Sequence, residues 1–261
     1  MDRLQLVELE DLPWVPKAIR DGGTDLLDLG FDRLGFYRAL APELVELLRR
    51  AGTRDVIDLC SGGGGGALSM LPELRAALGD EVTLTLTDRH PNRDAAARFA
   101  GRAGVRYHLT PVDATDVPAE LQGVRTMFGA IHHFPPEGVR RVLSDAVRAR
   151  APIALVDVAA SPAIRRAPLA LLPLMALPNL AVLTVASLVA TPFVRPFKLS
   201  RLLLTYVAPA IPALFAWDGT VSALRAYELD ELLSIAREVG PDYDWSGRRT
   251  ATALCVTGLP R

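Results

Sequence analysis

The sequence predicts an α/β protein built around a parallel β-sheet. Strand-like and helix-like segments alternate from residue 56 to residue 158, which is the pattern of repeated β-α-β units. An apolar run that contains Asp58 leads into five consecutive glycines, residues 62–66. Because glycine has no Cβ, such a turn lets backbone N–H groups come close to a ligand. Together these observations indicate a nucleotide-type ligand at the carboxyl edge of a sheet.

Three predicted strands carry an acid at or just beyond their carboxyl ends. Asp58 lies in the first run, Asp88 follows the run 82–87, and Asp113 lies just beyond the run 105–109. A carboxylate after the second strand can accept hydrogen bonds from both ribose hydroxyls, and one after the third can accept from an adenine amino group. The acid before the glycines indicates a cationic ligand group, because a dinucleotide-binding strand usually continues apolar into its first glycine.

In these residues the chain resembles the class I S-adenosylmethionine-dependent methyltransferases. The first strand in that family carries D-x-G-x-G-x-G, and the second and third strands are each followed by an acid; the match covers about residues 50–160. The resemblance implies a doubly wound, mostly parallel, seven-stranded sheet with an antiparallel last strand. It also implies S-adenosylmethionine as cofactor and S-adenosylhomocysteine as product.

The same resemblance assigns cofactor-binding residues. Asp58 is expected to face the methionine end of the cofactor, and Asp88 the ribose. The remaining positions implied are Ser61, Gly62 and Gly64 along the cofactor, with Asp113 and Ala114 at the adenine.

Two residues depart from the family pattern. Cys60 stands where the family has its first glycine, and Pro72 falls where the next helix should already be running. Proline fits only the first turn of a helix without a penalty. We therefore expect the glycine loop to extend to about Met70, or the helix to be kinked at Pro72.

Composition and spacing divide the chain into four regions. Residues 1–50 are predicted to form an N-terminal helical cap, and 51–160 the Rossmann-like cofactor-binding core. Residues 161–226 form a mainly helical apolar insert after the fifth strand. Residues 227–261 supply a C-terminal helix and the last strands that complete the core.

The apolar insert has two open interpretations. Residues 167–194 contain no charged side chain, yet their longest proline-free part is only 13 residues, against about 20 for a membrane span. A simple span is therefore not expected. The insert is either a helical cap or dimer interface, or it makes peripheral contact with anionic lipid through residues 167–217. Three basic residues separate its two uncharged runs: Arg195, Lys198 and Arg201.

Candidate catalytic and substrate-binding residues lie outside the glycine loop. His132 and His133 follow the fourth strand, and either imidazole can take a proton from an acceptor at neutral pH. Adjacent side chains diverge, so one of the pair is expected to face the pocket, and His133 is favoured. The alternative is a pair that caps the next helix or packs beneath the cofactor. The substrate-binding candidates are Tyr37, Trp217, Arg225 and Tyr227.

The last three of these candidates belong to a polar cluster that follows the insert. Its alternative interpretation is a turn, in which Gly219 takes a positive φ and Asp218 caps a helix.

The overall composition limits the classes of binding partner that are expected. The chain has 29 basic and 30 acidic residues, so no polyanion-binding surface and no nucleic-acid partner is expected. Cys60 and Cys255 are the two cysteines, and no spaced Cys/His set indicates a metal site. Few cysteines, and a start without the layout of a secretion signal, favour the cytoplasm, with membrane association if the insert contacts lipid. Monomer and homodimer stay open.

The function predicted is methyl transfer to a hydrophobic small molecule, of the kind met in secondary metabolism. One alternative is an NAD(P)-dependent reductase, in which Gly62, Gly64 and Ala67 satisfy a dinucleotide fingerprint. Asp58 and Asp113 argue against it, and the chain has no Tyr-x-x-x-Lys pair. The other alternative is a non-catalytic module that binds a lipid or a protein partner on the same scaffold.

Overall fold

A computed structural model, which describes residues 6–159 and 168–261, contains a seven-stranded sheet. The strand order is β3-β2-β1-β4-β5-β7-β6; β1 to β5 are parallel, and β7 is antiparallel to both of its neighbours. The predicted fold class is confirmed. The strands are β1 Asp55–Asp58, β2 Thr83–Leu86, β3 Val105–Tyr107, β4 Val124–Phe128, β5 Ile153–Val158, β6 Tyr243–Arg249 and β7 Ala253–Pro260.

Nine α-helices occur in the described residues. They are α1 Lys17–Leu34, α2 Ala41–Ala51, α3 Gly65–Leu78, α4 Arg93–Phe99, α5 Pro136–Arg148, α6 Leu172–Ala190, α7 Leu199–Tyr206, α8 Ala210–Arg225 and α9 Leu229–Val239.

The sheet is buried on both faces, as expected of a parallel sheet covered by helices. Successive residues of a strand point to opposite faces. Ile57 and Leu155 accordingly belong to one apolar cluster, whereas Val56 and Val156 belong to a second cluster. Long apolar runs in the central strands are therefore required for folding, and they leave the carboxyl ends of the strands as the place for polar chemistry.

The chain divides into two compact units. The sheet unit contains residues 31–159 and 227–261, and the helical unit contains the described parts of 1–30 and 160–226. The predicted N-terminal region 1–50 is thus divided between them, because the buried face of α2 packs in the sheet unit's core. Residues 161–167, the start of the predicted insert, lie outside the described residues.

Helix α3 corrects the expectation of a long glycine loop. It begins directly after Gly64, which has a φ of 87°, and continues through Pro72 to Leu78. The extension of the loop to Met70 was wrong. A proline inside a helix costs about 3 kcal/mol. Met70 and Leu71 are fully buried beside it, and burial of such side chains, at about 1.5–3 kcal/mol each, offsets that cost.

Helix α6 corrects the argument from proline spacing. It runs without a break from Leu172 to Ala190 and contains Pro178. With the turn that follows, Leu172–Phe193 is a 22-residue segment of mean hydropathy 1.9, long and apolar enough to cross a membrane. Proline spacing therefore underestimated this helix, since a single internal proline did not end it.

Helix α8 corrects the interpretation of the polar cluster as a turn. Trp217, Asp218 and Gly219 all lie inside the helix, and Gly219 has no positive φ. The Asp218 carboxylate instead accepts hydrogen bonds from the backbone N–H groups of Leu9, at 2.6 Å, and Glu10, at 3.0 Å. The cluster therefore holds the N-terminal segment of the helical unit.

Candidate active site at the carboxyl edge of the sheet

The loop between β1 and α3 is held by the carboxyl group of Asp58. Ser61 Oγ donates to Asp58 Oδ2 at 2.6 Å, and Thr126 Oγ1, on β4, donates to Asp58 Oδ1 at 2.8 Å. Ser61 Oγ also accepts from the backbone N–H of Thr87, at 3.1 Å. The buried carboxyl group of Asp58, at the end of β1, thus connects the glycine loop to β4 directly and to the end of β2 through Ser61.

Burial, with a smaller contribution from the charge of Asp88, raises the pKa of Asp58 to about 7 against the opposing effect of the hydroxyls of Ser61 and Thr126. The side chain is 1% exposed. In this conformation the carboxyl group faces hydroxyl groups of the chain rather than solvent. The sequence predicted an acid here, but not that it would be enclosed.

Asp88 lies against the glycine loop. Its Oδ2 accepts from the backbone N–H of Gly62 at 2.9 Å, and its Oδ1 accepts from that of His90 at 2.7 Å. A Cβ added to Gly62, whose φ is 50°, would meet no atom within 4 Å. A Cβ on Gly64 would lie 2.8 Å from Leu86 Cδ1. Gly62 therefore lies on the open side of the loop. The carboxylate of Asp88 next to it can accept further hydrogen bonds.

Cys60 has a backbone conformation that favours glycine. It has a φ of 57°, in the left-handed region, which costs a residue with a Cβ roughly 1–2 kcal/mol. Burial raises the pKa of its thiol to about 12, so the group is a neutral thiol at physiological pH. The loop shape is thus retained at the expense of local strain.

Tyr107 is a loop-supporting residue that sequence reasoning missed. Its hydroxyl donates to the carbonyl oxygen of Gly62 at 2.8 Å and accepts from the backbone N–H of Asn92 at 3.2 Å. Tyr107 ends β3, so the third strand supports the glycine loop of the first. An aromatic residue at a strand end is too common a pattern to indicate this contact.

Asp113 and Ala114 lie in a turn beyond β3. Asp113 Oδ1 accepts from the backbone N–H and the hydroxyl of Thr115, at 2.8 and 2.7 Å, and these bonds lower the pKa of Asp113. Its Oδ2 is 3.9 Å from Arg89, and the side chain is 43% exposed. Ala114 is buried. Asp113 is therefore an ionised, accessible acceptor.

Tyr37 carries an unpaired hydroxyl in the core of the sheet unit. The ring is 1% exposed, and it stacks on Phe31 at 5.2 Å and tilts against Phe128 at 5.7 Å. Its hydroxyl has no hydrogen-bond partner among the described residues, and it lies 3.0 Å from the position of a Cβ on Gly129, just after β4. Buried hydroxyls are nearly always paired, so this one is available to a polar atom of a water or a ligand.

His132 is bound to an aspartate on the neighbouring strand. Its Nδ1 lies 2.8 and 3.0 Å from the two carboxylate oxygens of Asp157, and its backbone N–H donates to the same group at 2.9 Å. The rings of His132 and His133 are 4.4 Å apart. Asp157 was not among the predicted residues. The carboxylate accepts a hydrogen bond when the imidazole proton is on Nδ1, so this contact favours that tautomer.

The other predicted substrate-binding residues are engaged within their own units. The Tyr227 hydroxyl donates to the carbonyl oxygen of Phe134 at 2.7 Å, in the sheet unit. In the helical unit, the Trp217 indole donates to the carbonyl oxygen of Val7 at 3.0 Å. Arg225 lies 3.1 Å from Glu8, also in the helical unit. These contacts hold segments of the chain together, and a substrate-binding role for the three residues stays a prediction.

We expect the ionisation of Asp58 to make the protein less stable as the pH rises from about 4 to about 7. The folded state keeps a proton, with a pKa of about 7, that the unfolded chain has lost. Stability therefore falls with pH across that window, by up to about 4 kcal/mol. Asp58→Asn should flatten the profile in urea unfolding. Asp116→Asn, at an 87% exposed side chain, should keep the wild-type slope. Parallel profiles for wild type and Asp58→Asn would contradict this account.

No protein-family model and no curated protein matches the sequence, but many solved structures share its fold. An O-methyltransferase family protein from Burkholderia thailandensis is 15% identical, with a TM-score of 0.51; the match covers 90% of this chain and 58% of that one. Human N-acetylserotonin methyltransferase in complex with S-adenosylmethionine is 11% identical, with a TM-score of 0.52, covering 92% and 57%.

A third similar structure is an O-methyltransferase from neocarzinostatin biosynthesis, in complex with S-adenosylmethionine and 2-hydroxy-5-methyl naphthoic acid. It is 13% identical, with a TM-score of 0.50, and the match covers 94% of this chain and 59% of that one. The chain thus spans less than three fifths of the length of each of these three proteins. At these identities the likeness concerns the fold, and the fold of this chain is that of the class I S-adenosylmethionine-dependent methyltransferases.

Proposed function

We propose that the chain is an S-adenosylmethionine-dependent methyltransferase that acts on a hydrophobic small molecule. The observation that carries the proposal is that the Asp88 carboxylate is bonded to the N–H of Gly62, a residue with open space where a Cβ would lie. A ribose next to a glycine loop needs this pair, a backbone that a ligand can approach and an acceptor for two hydroxyls. The fold comparison supports the same function.

Residues of the sheet unit would hold the cofactor as follows. Asp88 accepts from the ribose, and the exposed Asp113 accepts from the adenine amino group beside Ala114. Gly62 lets the cofactor approach the backbone. Asp58 is a positioning residue, because its carboxyl oxygens accept hydrogen bonds from Ser61 and Thr126. S-adenosylmethionine, when bound, supplies an activated methyl group on a sulfonium, so that the protein chiefly aligns donor and acceptor.

We assign the general base to His132, with Asp157 as its positioning residue. Asp157 accepts a hydrogen bond from Nδ1–H and so favours the tautomer in which Nε2 is the basic nitrogen, the atom to which we assign uptake of a proton from an acceptor hydroxyl or amine. The sequence pattern favoured His133 as the base. The contact with Asp157 favours His132 instead. His132 is 4% exposed, so that the proton transfer takes place away from bulk water.

A small, apolar acceptor fits the composition of the chain. The structurally similar enzyme from neocarzinostatin biosynthesis binds a naphthoic acid, and the same class of compound is a reasonable first acceptor for this chain. Cys60 and Cys255 are both free thiols, which supports the reducing cytoplasm as the compartment.

The cofactor assignment predicts that Asp88→Ala weakens S-adenosylmethionine and S-adenosylhomocysteine binding at least tenfold. Hydrogen bonds to a charged group contribute about 1.5–3 kcal/mol each, and the ribose would make up to two. Isothermal calorimetry measures the loss, and Asp116→Ala, which removes an exposed carboxylate, should bind like wild type. The proposal would be contradicted if folded wild type bound NADH but neither S-adenosylmethionine nor S-adenosylhomocysteine. It would also be contradicted if folded wild type bound none of these three compounds.

The unpaired hydroxyl of Tyr37 predicts opposite effects on stability and on binding. Tyr37→Phe removes an unsatisfied buried polar group, so the free energy of unfolding of the ligand-free protein should rise by about 1–3 kcal/mol. S-adenosylhomocysteine binding should weaken about tenfold if the hydroxyl holds a cofactor atom. Urea unfolding and calorimetry measure the two effects.

Tyr243→Phe is the matched control for Tyr37→Phe. The Tyr243 hydroxyl lies 3.0 and 3.2 Å from the carbonyl oxygens of Ala146 and Ala151, and its one proton is donated to this pair of acceptors. Its loss should destabilise the protein by about 1 kcal/mol and leave the affinity unchanged. If Tyr37→Phe destabilises the protein in the same way, the hydroxyl has a partner within the chain and no role in binding.

The base assignment predicts that His132→Ala lowers kcat about 10²–10⁴-fold at an unchanged affinity for the cofactor. Mass spectrometry with hydroxylated aromatic acids identifies a methylated acceptor first, and kinetics then compare the variants. His133→Ala is the matched control and should retain most of the turnover. A larger loss in His133→Ala than in His132→Ala would reverse the assignment.

A further inference from the structure

The helical unit carries a continuous apolar surface on its longest uncharged helix. Five side chains of α6 that share one side of the helix are 57–65% exposed: Leu174, Leu177, Val182, Val185 and Val189. We propose that this face, called here the lipid face, binds the surface of an anionic lipid bilayer, with α6 lying in the plane of the membrane. Only 11% of the apolar window in Leu172–Phe193 is buried, so α6 is not the core helix of a soluble bundle.

Each polar side chain of α6 donates a hydrogen bond within the helical unit. Thr184 Oγ1 donates to the carbonyl oxygen of Leu180 at 2.8 Å, and Ser187 Oγ to that of Thr184 at 2.7 Å. Asn179 donates to Thr220 Oγ1 on α8 at 2.9 Å. Because an unpaired polar group in hydrocarbon costs several kcal/mol, this internal pairing suits a helix that contacts lipid.

The lipid face continues along α7 and the segment before it. Leu199, Leu203 and Tyr206, at positions i, i+4 and i+7, are 49–62% exposed. The Tyr206 hydroxyl donates to the carbonyl oxygen of Leu188 at 2.5 Å, which joins α7 to α6. Phe193 and Phe197 are 63% and 65% exposed on the connection. Aromatic side chains next to basic ones are typical of the membrane–water interface.

The packing order within the helical unit places the apolar side outermost. Helix α8 packs on α6 through Gly219, where a Cβ would lie 2.7 Å from Leu183 Cδ1. Helix α8 also meets α1, since a Cβ on Gly22 would lie 2.3 Å from Ile211 Cδ1. Charged α1 thus packs on α8, and it reaches α6 at its carboxyl end, in a buried cluster that includes Ala190.

The charged side chains of the unit favour an in-plane position over a span. Arg201 lies beyond the end of α6 and pairs with Asp25 of α1 at 2.5 Å, so it would stay near the headgroups even if α6 crossed the bilayer. Asp218 of α8 would not, because it is next to Gly219, which packs on Leu183 near the middle of α6. An acid at that depth costs several kcal/mol. With α6 in the interface, this carboxylate stays outside the hydrocarbon.

Charge selects lipid over a second copy of the chain. Between residues 167 and 217 the charged side chains are Arg195, Lys198 and Arg201, with no acid. Arg201 is 3% exposed and shares the carboxylate of Asp25 with Lys198, which is 42% exposed, whereas Arg195 is exposed. One acid against three cations leaves an excess of positive charge, which a two-fold dimer through this surface would bring together. Arg195 and Lys198 are the cations that anionic headgroups can attract, by about 1 kcal/mol for each one near the surface.

Vesicle co-sedimentation of the full chain tests the proposal, with equal parts phosphatidylcholine and phosphatidylglycerol against phosphatidylcholine alone. Wild type should bind the anionic vesicles more tightly. Replacing Leu174, Val182 and Val185 by Gln should weaken binding at least tenfold. Gln favours helix at least as well as these residues, and the positions are exposed, so the fold is retained. Arg195→Gln should weaken binding about fivefold on anionic vesicles only.

Leu109→Gln is the matched control, because Leu109 is 52% exposed but lies in the sheet unit; it should bind like wild type. Circular dichroism and light scattering establish that each protein is folded and which oligomer it forms. The proposal is overturned if folded wild type binds neither vesicle. It is also overturned if wild type is a dimer that the triple substitution dissociates, since the surface would then bind a second copy.

Discussion

The hydrogen bonds of the Asp58 carboxyl group are the interaction on which the candidate site depends. They join β1, through Ser61, to the glycine loop and, through Thr126, to β4. The loop so placed brings the N–H of Gly62 to Asp88. Enclosing a carboxyl group is unfavourable, as its raised pKa shows, and two hydroxyl donors make the arrangement possible. The enclosed carboxyl group lowers the stability of the protein at neutral pH. The same group holds the loop in position in the absence of a ligand.

The two units of the chain differ in where their polar and apolar side chains lie. In the sheet unit, polar groups collect where the parallel strands end, and the strands themselves are apolar. In the helical unit, the charges collect on α1 and its partners, and α6 is left with an apolar exposed face. An enzyme for apolar compounds gains from a membrane contact, because such compounds concentrate in lipid. The proposed activity and the proposed lipid contact are chemically compatible, although each rests on its own residues.

The sequence was sufficient for features encoded by neighbouring residues. The alternation of strands and helices, and the acids at the strand ends, are local patterns, and they led to the sheet and to Asp88. Contacts between distant segments left no such pattern. Tyr107 supports Gly62 across 45 positions, and Asp157 binds His132 across 25. Helix bounds failed where tertiary packing outweighed a proline, as at Pro72, because propensity is a weak determinant beside burial.

The most direct test of the account is a crystal structure of the chain with S-adenosylhomocysteine. The account predicts the ribose hydroxyls on the carboxylate of Asp88, the adenine beside Asp113, and a polar atom of the ligand on the hydroxyl of Tyr37. Asp58 should keep its bonds to Ser61 and Thr126. A ligand bound away from the glycine loop, or a loop rebuilt around the ligand with Asp58 released, would contradict the claim that this edge of the sheet is a preformed cofactor site.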